Sequence, residues 1–251
     1  LPIYGARILQ RHRAPPLPLI LAIESATPYG SVALVDRGAV LRESILPSGR
    51  QASETFLFAV SGLFSPGGPS PRDVECLAVS AGPGSFTGLR VGMAAAKGLC
   101  FGWGVPIVRV QTLAALASRF PDEGRTICPV LDARKKEVYA AFFRWVGGVL
   151  TRGTPDLALP PESLPGRVPE GEIVFCGDGV GPFGAMFRDR LGGRARLASG
   201  PEGLPRAGAV GFLGEAAFRE GAAEDPRTVI PRYLRPSEAE VSRAGGGPGS
   251  R

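Results

Sequence analysis

Histidine is almost absent from this chain of 251 residues, whose single histidine is His12. A zinc or iron site built on histidine needs several imidazoles. A Ser-His-Asp or Cys-His nucleophilic site needs at least one imidazole in the folded part of the chain, whereas His12 lies in a terminal stretch rich in proline and arginine. We therefore predict neither a catalytic residue nor a resident metal.

Paired cysteines and long apolar runs are missing as well. The apolar run at residues 17–23 is strand-sized, far short of the ~18 residues that a membrane span needs. The four cysteines form no CxxC motif, so we interpret them as buried free thiols of a reducing compartment: Cys76, Cys100, Cys128 and Cys176. With no signal peptide identified, we expect a cytoplasmic protein that does not act at a membrane.

Positive charge is scarce in the middle of the chain, although the formal net charge is +6. Residues 1–18 and residues 227–251 each carry a net +3, whereas residues 19–226 hold 21 basic and 21 acidic side chains. We interpret residues 1–18 as a disordered extension and residues 236–251 as a flexible tail. Basic ends also contact RNA, so direct tRNA binding through them stays an alternative.

The hydrophobic pattern predicts an α/β protein with two lobes, at residues 19–111 and 112–235. The first lobe opens with a β-meander at 19–24, 31–36 and 39–44, and continues with a helix at 51–64, a strand at 76–80, a helix at 85–101 and a strand at 106–110. A helix at 112–120 follows. The second lobe has predicted strands at 126–131, 137–146 and 173–176, a loop at 150–169, and helices at 184–191 and 207–220. The last helix has the option of packing back on the first lobe.

A glycine-rich segment, residues 82–88 (GPGSFTG), follows a buried strand and opens a helix. Backbone N–H groups and the helix dipole at such a turn favour a phosphate or another anion, which makes Gly82, Gly84 and Ser85 candidate binding residues. The alternative is a tight turn without a ligand. Physical reasoning alone leaves the two interpretations open.

Carboxylates end three of the predicted strands, at Glu24, Asp132 and Asp178, the last of which follows Gly177. Acids in such positions hold magnesium through water. They also cap turns and helices, and this second role suits Asp178 better because glycines flank it. For Glu24 and Asp132 both roles stay open.

Two helices are predicted to form a protein–protein surface. The first is apolar on more than one face, with Phe56, Val60 and Leu63 on one side and Phe58 on the other. The second carries small residues at spacings of three and four, which allow another helix to approach closely: Gly88, Gly92, Ala95 and Ala96.

Several strings in the sequence are shared with a known family. The strongest are residues 20–27 (ILAIESAT), 31–34 (SVAL), 82–92 (GPGSFTGLRVG) and 96–99 (AKGL). Together with shorter matches at 110–114, 131–139, 177–179 and 231–235, they resemble the TsaB (YeaZ) family. That family is a subunit of the bacterial machinery that makes threonylcarbamoyladenosine at adenosine 37 of tRNA.

The resemblance implies an actin/Hsp70-like (ASKHA) fold with a duplicated βββαβα lobe. It also implies a non-catalytic activating subunit that pairs with the catalytic relative TsaD through the two helices above, with the ATPase TsaE joining the complex. TsaD binds a metal through an HxxxH motif, and the matching positions here are Thr112 and Leu116. Two departures weaken nucleotide binding in the first lobe: Ala52 replaces a frequent histidine, and Glu24 replaces a common aspartate.

Alternatives to the activating subunit remain at this stage. The same fold hosts ATP-dependent small-molecule kinases, although the segment 27–30 (TPYG) is not the glycine-rich hairpin that those kinases use. No cofactor is expected to be required, while weak binding of Mg-ATP or Mg-ADP stays open. In the absence of TsaD, exposed apolar helices also allow a homodimer. We expect tRNA to be met mainly through the complex.

Overall fold

A computed structural model describes residues 18–46 and 52–235 of the chain, without the side chains of residues 52–54. Most of the predicted N-terminal extension, the whole predicted tail at 236–251 and the Ala52 side chain therefore lie outside the described part. The first lobe contains β1 (Leu19–Glu24), β2 (Ser31–Asp36), β3 (Ala39–Ile45), α1 (Ala52–Leu63), β4 (Val74–Ser80), α2 (Phe86–Trp103) and β5 (Ile107–Val110). The helix α3 (Thr112–Ser118) follows it.

The second lobe repeats this order and adds one hairpin. It contains β6 (Thr126–Arg134), β7 (Glu137–Ala140), β8 (Phe143–Val146), β9 (Val149–Arg152), β10 (Leu157–Leu159), β11 (Ile173–Cys176), α4 (Val180–Leu191), β12 (Ala195–Leu197) and α5 (Ala207–Arg219). The strand orders β3-β2-β1-β4-β5 and β10-β7-β6-β11-β12 correspond position by position. In both sheets the central strand pairs antiparallel with its hairpin partner and parallel with the strand that follows. The predicted duplicated α/β fold is confirmed.

The central strand β1 is buried along its whole length because both faces of its sheet are covered. Side chains alternate, so that Leu21 and Ile23 pack towards α1 and α2, while Ile20 and Ala22 pack towards α3 and α5. Among residues 18–46 and 52–235, no helix combines the length and apolar content that crossing a bilayer demands.

Helix α5 belongs to the second half of the chain but packs on the first sheet. It does so through glycines three residues apart, which face small side chains of the sheet. A Cβ atom at Gly211 would lie 2.4 Å from Val35 Cγ2, and one at Gly214 would lie 2.3 Å from Ala78 Cβ. The absence of side chains at these positions lets α5 lie directly on β1, β2 and β4.

Three predictions about the second lobe were wrong. The predicted strand 137–146 is two strands, β7 and β8, because the chain changes partner between Ala140 and Phe143. The predicted loop 150–169 contains most of β9 and all of β10, which pair with β8 and β7. The helix predicted from Gly184 begins at Val180, and the short strand β12 was not predicted.

The substitution Gly214→Ala tests the contact between α5 and the sheet. Its methyl group has no space, so we expect it to lower the free energy of unfolding by about 1–3 kcal/mol. The matched control is Gly102→Ala, because a Cβ atom at Gly102 in α2 meets nothing within 4 Å. The control is expected to be neutral or to stabilise by up to ~1 kcal/mol through helix propensity. Urea unfolding of both variants measures the difference, and equal effects would contradict the packing described here.

Candidate functional site

A cleft of about 650 Å³ lies between the lobes, where the carboxyl ends of β1 and β6 face each other. One wall is the turn after β1, the glycine-rich loop and the first turns of α2. The other wall is the β6–β7 hairpin and Asp178. Residues 232–235, near the end of the described chain, close one side. The fold therefore brings together the end of each lobe's central strand.

The glycine-rich loop is fixed by bonds to three separate parts of the chain. The Ser85 N–H donates to the Ala26 carbonyl at 2.7 Å, and the Thr112 N–H donates to the Gly82 carbonyl at 3.0 Å. The Arg232 N–H donates to the Ala81 carbonyl at 2.7 Å. Ser85 is also the N-cap of α2, because its hydroxyl accepts from the Gly88 N–H at 3.2 Å. Such a loop holds one conformation in the absence of a ligand.

The four loop glycines and serines predicted as anion contacts divide into two groups. Gly84 and Ser85 line the cleft, whereas Gly82 and Gly177 do not. Gly82 has φ +116°, and a Cβ atom there would lie 2.3 Å from the Arg232 carbonyl oxygen. Gly177 has φ +111°, and its Cβ would lie 2.1 Å from the Val130 carbonyl oxygen. Close backbone contact explains glycine at both of these positions.

The second-lobe acids Asp132 and Asp178 both line the cleft. The Asp132 N–H donates to Asp178 Oδ1 at 3.0 Å, so Asp178 fixes the end of β6. Burial raises the pKa of Asp178 above its usual value. Asp132 Oδ2 forms an ion pair with Arg134 at 3.3 Å. Both carboxylates thus have partners inside the chain.

Glu24 is not a cleft residue, contrary to the prediction that grouped it with Asp132 and Asp178. Its side chain is completely buried, and Oε1 accepts from the Ala26 N–H at 2.6 Å. Oε2 has no hydrogen-bond partner. Because burial disfavours the charged form, the pKa of Glu24 rises to about 7. A carboxylate below the cleft floor cannot ligate an ion inside the cleft.

Three consecutive cations form the tip of the β6–β7 hairpin. Arg134, Lys135 and Lys136 have φ values of 62°, 51° and 61°, and all three side chains are exposed. L-residues adopt this left-handed region at a cost of roughly 1–2 kcal/mol each. Sequence reasoning missed the hairpin as part of the site, although two of the chain's three lysines stand in it.

The segment of residues 229–235, called the strap below, joins the two lobes across the cleft. Lys97 of α2 donates to the Val229 carbonyl at 3.1 Å. The Tyr233 ring lies 4.7 Å from the Phe86 ring, and its hydroxyl accepts from Arg90 Nε at 2.9 Å. At its far end, Arg235 forms an ion pair with Glu137 of β7. The sequence signal was the string PRYLR, whose role was not predicted.

The apolar residues of α1 are mostly internal, which corrects part of the predicted protein–protein surface. Phe56, Val60 and Leu63 are buried against the first sheet and α2. Phe58 points the other way and is 82 % exposed, and its neighbour Leu57 is 53 % exposed. An all-round apolar helix satisfies its own core with one side and leaves the other side to solvent.

The small residues predicted to face a partner on α2 face the chain itself. A Cβ atom at Gly88 would lie 2.1 Å from the Ser25 carbonyl oxygen, and one at Gly92 would lie 2.0 Å from Ser25 Oγ. Ala96 is completely buried, and Ala95 is half-buried. These residues let α2 approach the turn after β1.

A different face of α2 is exposed. Ala94 and Gly98 are exposed, and the side of α2 at Gly98 and Gly102 is open space. Phe101 on this helix is 58 % exposed. Together with Leu57 and Phe58 of α1, these residues form the surface called the α1–α2 face below.

The architecture defines a class of protein, the two-lobed actin-like (ASKHA) proteins with a cleft between duplicated lobes. Two structures from Pseudomonas aeruginosa share it across nearly the whole chain. One is described as YeaZ, with a TM-score of 0.71 and 26% identity over 86% of this chain and 100% of that one. The other, an uncharacterised protein with similarity to peptidase YEAZ, has a TM-score of 0.73 and 28% identity over 87% and 100%.

Sequence comparison shows the family. A tRNA threonylcarbamoyladenosine biosynthesis protein TsaB from Bacillus subtilis is 30% identical over 88% of this chain and 96% of its own length. The protein of the same name from Escherichia coli is 32% identical over 86% and 94%. The model of the family TsaD, tRNA N6-adenosine threonylcarbamoyltransferase, matches residues 45–242. The chain belongs to the TsaB (YeaZ) family, as the sequence motifs predicted.

The substitution Glu24→Gln tests the buried carboxyl group. Its pKa is raised from 4.5 to about 7 in the folded chain, so the folded state binds more protons than the unfolded state between these pH values. Stability due to this group is therefore present below pH 4.5 and is lost as the pH rises to about 7, by on the order of 3 kcal/mol. Urea unfolding at pH 5 and pH 8 should show this loss for the wild type and a smaller loss for Glu24→Gln. Equal losses would mean that Glu24 titrates normally.

Proposed function

We propose that this chain is a non-catalytic activating subunit in the synthesis of threonylcarbamoyladenosine in tRNA. In this proposal it pairs with a TsaD-type catalytic subunit, TsaE joins the pair, and tRNA is met mainly through the complex. The observation that carries the proposal is the α1–α2 face, an exposed apolar surface on a chain of the TsaB family.

The α1–α2 face has the composition of an interface rather than of an ordinary surface. It combines the large side chains of Leu57, Phe58 and Phe101, which are 53 %, 82 % and 58 % exposed, with small residues between them. Grouped exposed aromatic residues mark interaction sites, and aromatic anchors carry much of the binding energy at interfaces. Glycines beside them let a partner helix approach closely.

Relatedness to TsaD supports TsaD as the occupant of this face. The TsaD model matches residues 45–242, which include α1 and α2, so the two chains share these helices. Related chains that present equivalent surfaces can pair about an approximate two-fold axis, as identical subunits do. A second copy of this chain is the competing occupant, and the binding experiment below distinguishes the two.

The residues at the metal positions of the catalytic relative support a non-catalytic role. Thr112 is buried, and its Oγ1 accepts from the Gly82 N–H at 3.2 Å. Leu116 is completely buried in the core between the lobes. Neither side chain supplies an imidazole, and the chain's single histidine is His12. These positions of α3 hold the glycine-rich loop and the core.

The variants Phe58→Glu and Phe101→Glu test the α1–α2 face. Each places a charge where the proposal needs a dry apolar contact, so we expect affinity for TsaD to fall by at least about 30-fold, as for an interface hot spot. Val146→Glu is the matched control, because Val146 is 62 % exposed and lies in the β8–β9 hairpin. Calorimetry with purified TsaD measures the three affinities.

The same variants separate the two occupants. Sedimentation of the chain alone measures self-association, and addition of TsaD measures the heterodimer. A chain that dimerises through this face and ignores TsaD would overturn the proposed pairing. Affinities for TsaD that are equal in Phe58→Glu and Val146→Glu would place the interface elsewhere.

A reconstitution tests the activating role itself. TsaD, TsaE, tRNA, ATP and threonylcarbamoyl-adenylate are mixed with and without this chain, and modified adenosine is measured. We expect modification only when the chain is present, and a strong reduction with Phe58→Glu at concentrations that saturate the wild type. Modification that proceeds equally without the chain would refute the activating role.

A further inference from the structure

The cleft between the lobes has features that pairing through the α1–α2 face does not use. We propose that it binds a small molecule carrying a diphosphate, and that cationic side chains, rather than a divalent metal ion, neutralise the diphosphate. The proposal is independent of the pairing with TsaD, because the cleft and the α1–α2 face consist of different residues.

Cations converge on the cleft from two elements that are remote in sequence. Arg134 and Lys135 come from the β6–β7 hairpin, and Arg232 and Arg235 come from the strap. Two carboxylates, Asp132 and Asp178, share the lining, so four positive charges face two negative ones. Glu137, outside the lining, pairs with Arg235. The excess of positive charge favours an anionic ligand.

The conformation of the hairpin strengthens this inference. Arg134 and Lys135 both have left-handed backbone conformations, with φ values of 62° and 51°. Such conformations persist in side-chain-bearing residues when the surrounding structure imposes them, and they cluster at ligand sites. Here they hold two exposed cations at the edge of the cleft.

The start of α2 adds donors on the opposite wall. Phe86 and Thr87 line the cleft and lie in the first turn, where N–H groups have no acceptor within the helix. This turn contains no acidic residue. Phosphate oxygens between α2 and the hairpin would therefore meet backbone donors on one side and cations on the other.

The acids of the cleft are poorly arranged for a metal. The first lobe contributes none, because Glu24 is buried below the cleft floor and bonded to the Ala26 N–H. In the second lobe, Asp132 is paired with Arg134, and Asp178 accepts from the Asp132 N–H. Magnesium at a phosphate needs carboxylate oxygens that are available to it or to its waters, whereas guanidinium and ammonium groups bind phosphate directly.

The remaining walls accommodate an organic group. Leu46, Phe56 and Tyr139 line the cleft together with the stacked rings of Phe86 and Tyr233. A volume of about 650 Å³ lies within the range of sites for small molecules and cofactors. The shared chemistry of the ligand is the diphosphate, which either a nucleotide or inorganic pyrophosphate can supply.

Calorimetry on the full chain tests the proposal with ADP, pyrophosphate and adenosine as probes. We expect ADP to bind as tightly in EDTA as with Mg²⁺, and more weakly as salt rises, because salt screens the charges. Pyrophosphate that binds as tightly as ADP identifies a site for the diphosphate alone, whereas weaker binding shows that the apolar walls contribute. Adenosine binding equal to that of ADP would overturn the proposal, as would a requirement for Mg²⁺.

Variants locate the site. Arg232→Gln and Lys135→Gln should each weaken ADP binding by about tenfold, the effect of losing one charge-assisted hydrogen bond. Arg188→Gln is the control, because Arg188 is exposed in the last turn of α4 and does not line the cleft. Thermal unfolding confirms that the exposed changes leave the fold intact. Affinities for ADP that are equal in Arg232→Gln and Arg188→Gln, or no binding of ADP and pyrophosphate at millimolar concentration, would refute the site.

Discussion

The close approach between the turn after β1 and helix α2 determines the rest of the first lobe. Cβ atoms at Gly84, Gly88 and Gly92 would lie 2.5, 2.1 and 2.0 Å from atoms of Ala26 or Ser25. No side chain fits at these three positions, so the turn and the helix touch through their backbones. This contact fixes the start of α2 at the cleft and turns the opposite side of the helix towards solvent.

One helix therefore serves two surfaces. Its first turn, capped by Ser85, forms a wall of the cleft, and its outward side carries Phe101 on the α1–α2 face. The long string GPGSFTGLRVG has a packing explanation at each of its glycines, with the anion-binding interpretation confined to the few residues that reach the cleft. Chemistry and association both depend on a helix that the fold has already positioned.

Most of the fold could be predicted from local patterns, and the failures have physical causes. The strands at 19–24, 31–36 and 173–176 were predicted with their observed bounds, because continuous apolar runs between turn residues mark buried strands. The direction of a helix face is different: Phe56 and Phe58 are equally apolar, and tertiary packing alone decides which one is covered. The strap could not be predicted either, since Tyr233 bonds Arg90, a partner 143 residues away.

The strap also gives the two surfaces a physical connection. It contacts α2 through Lys97, Arg90 and Phe86, and it contacts the second lobe through the ion pair of Arg235 with Glu137. Any ligand in the cleft lies against Arg232 and the start of α2, while any partner on the α1–α2 face lies against the other side of the same helix. If either molecule shifts α2 relative to the strap, thermodynamic linkage requires that each change the affinity of the other by the same factor. A subunit without catalytic residues of its own can thereby still transmit the state of its cleft to a catalytic partner.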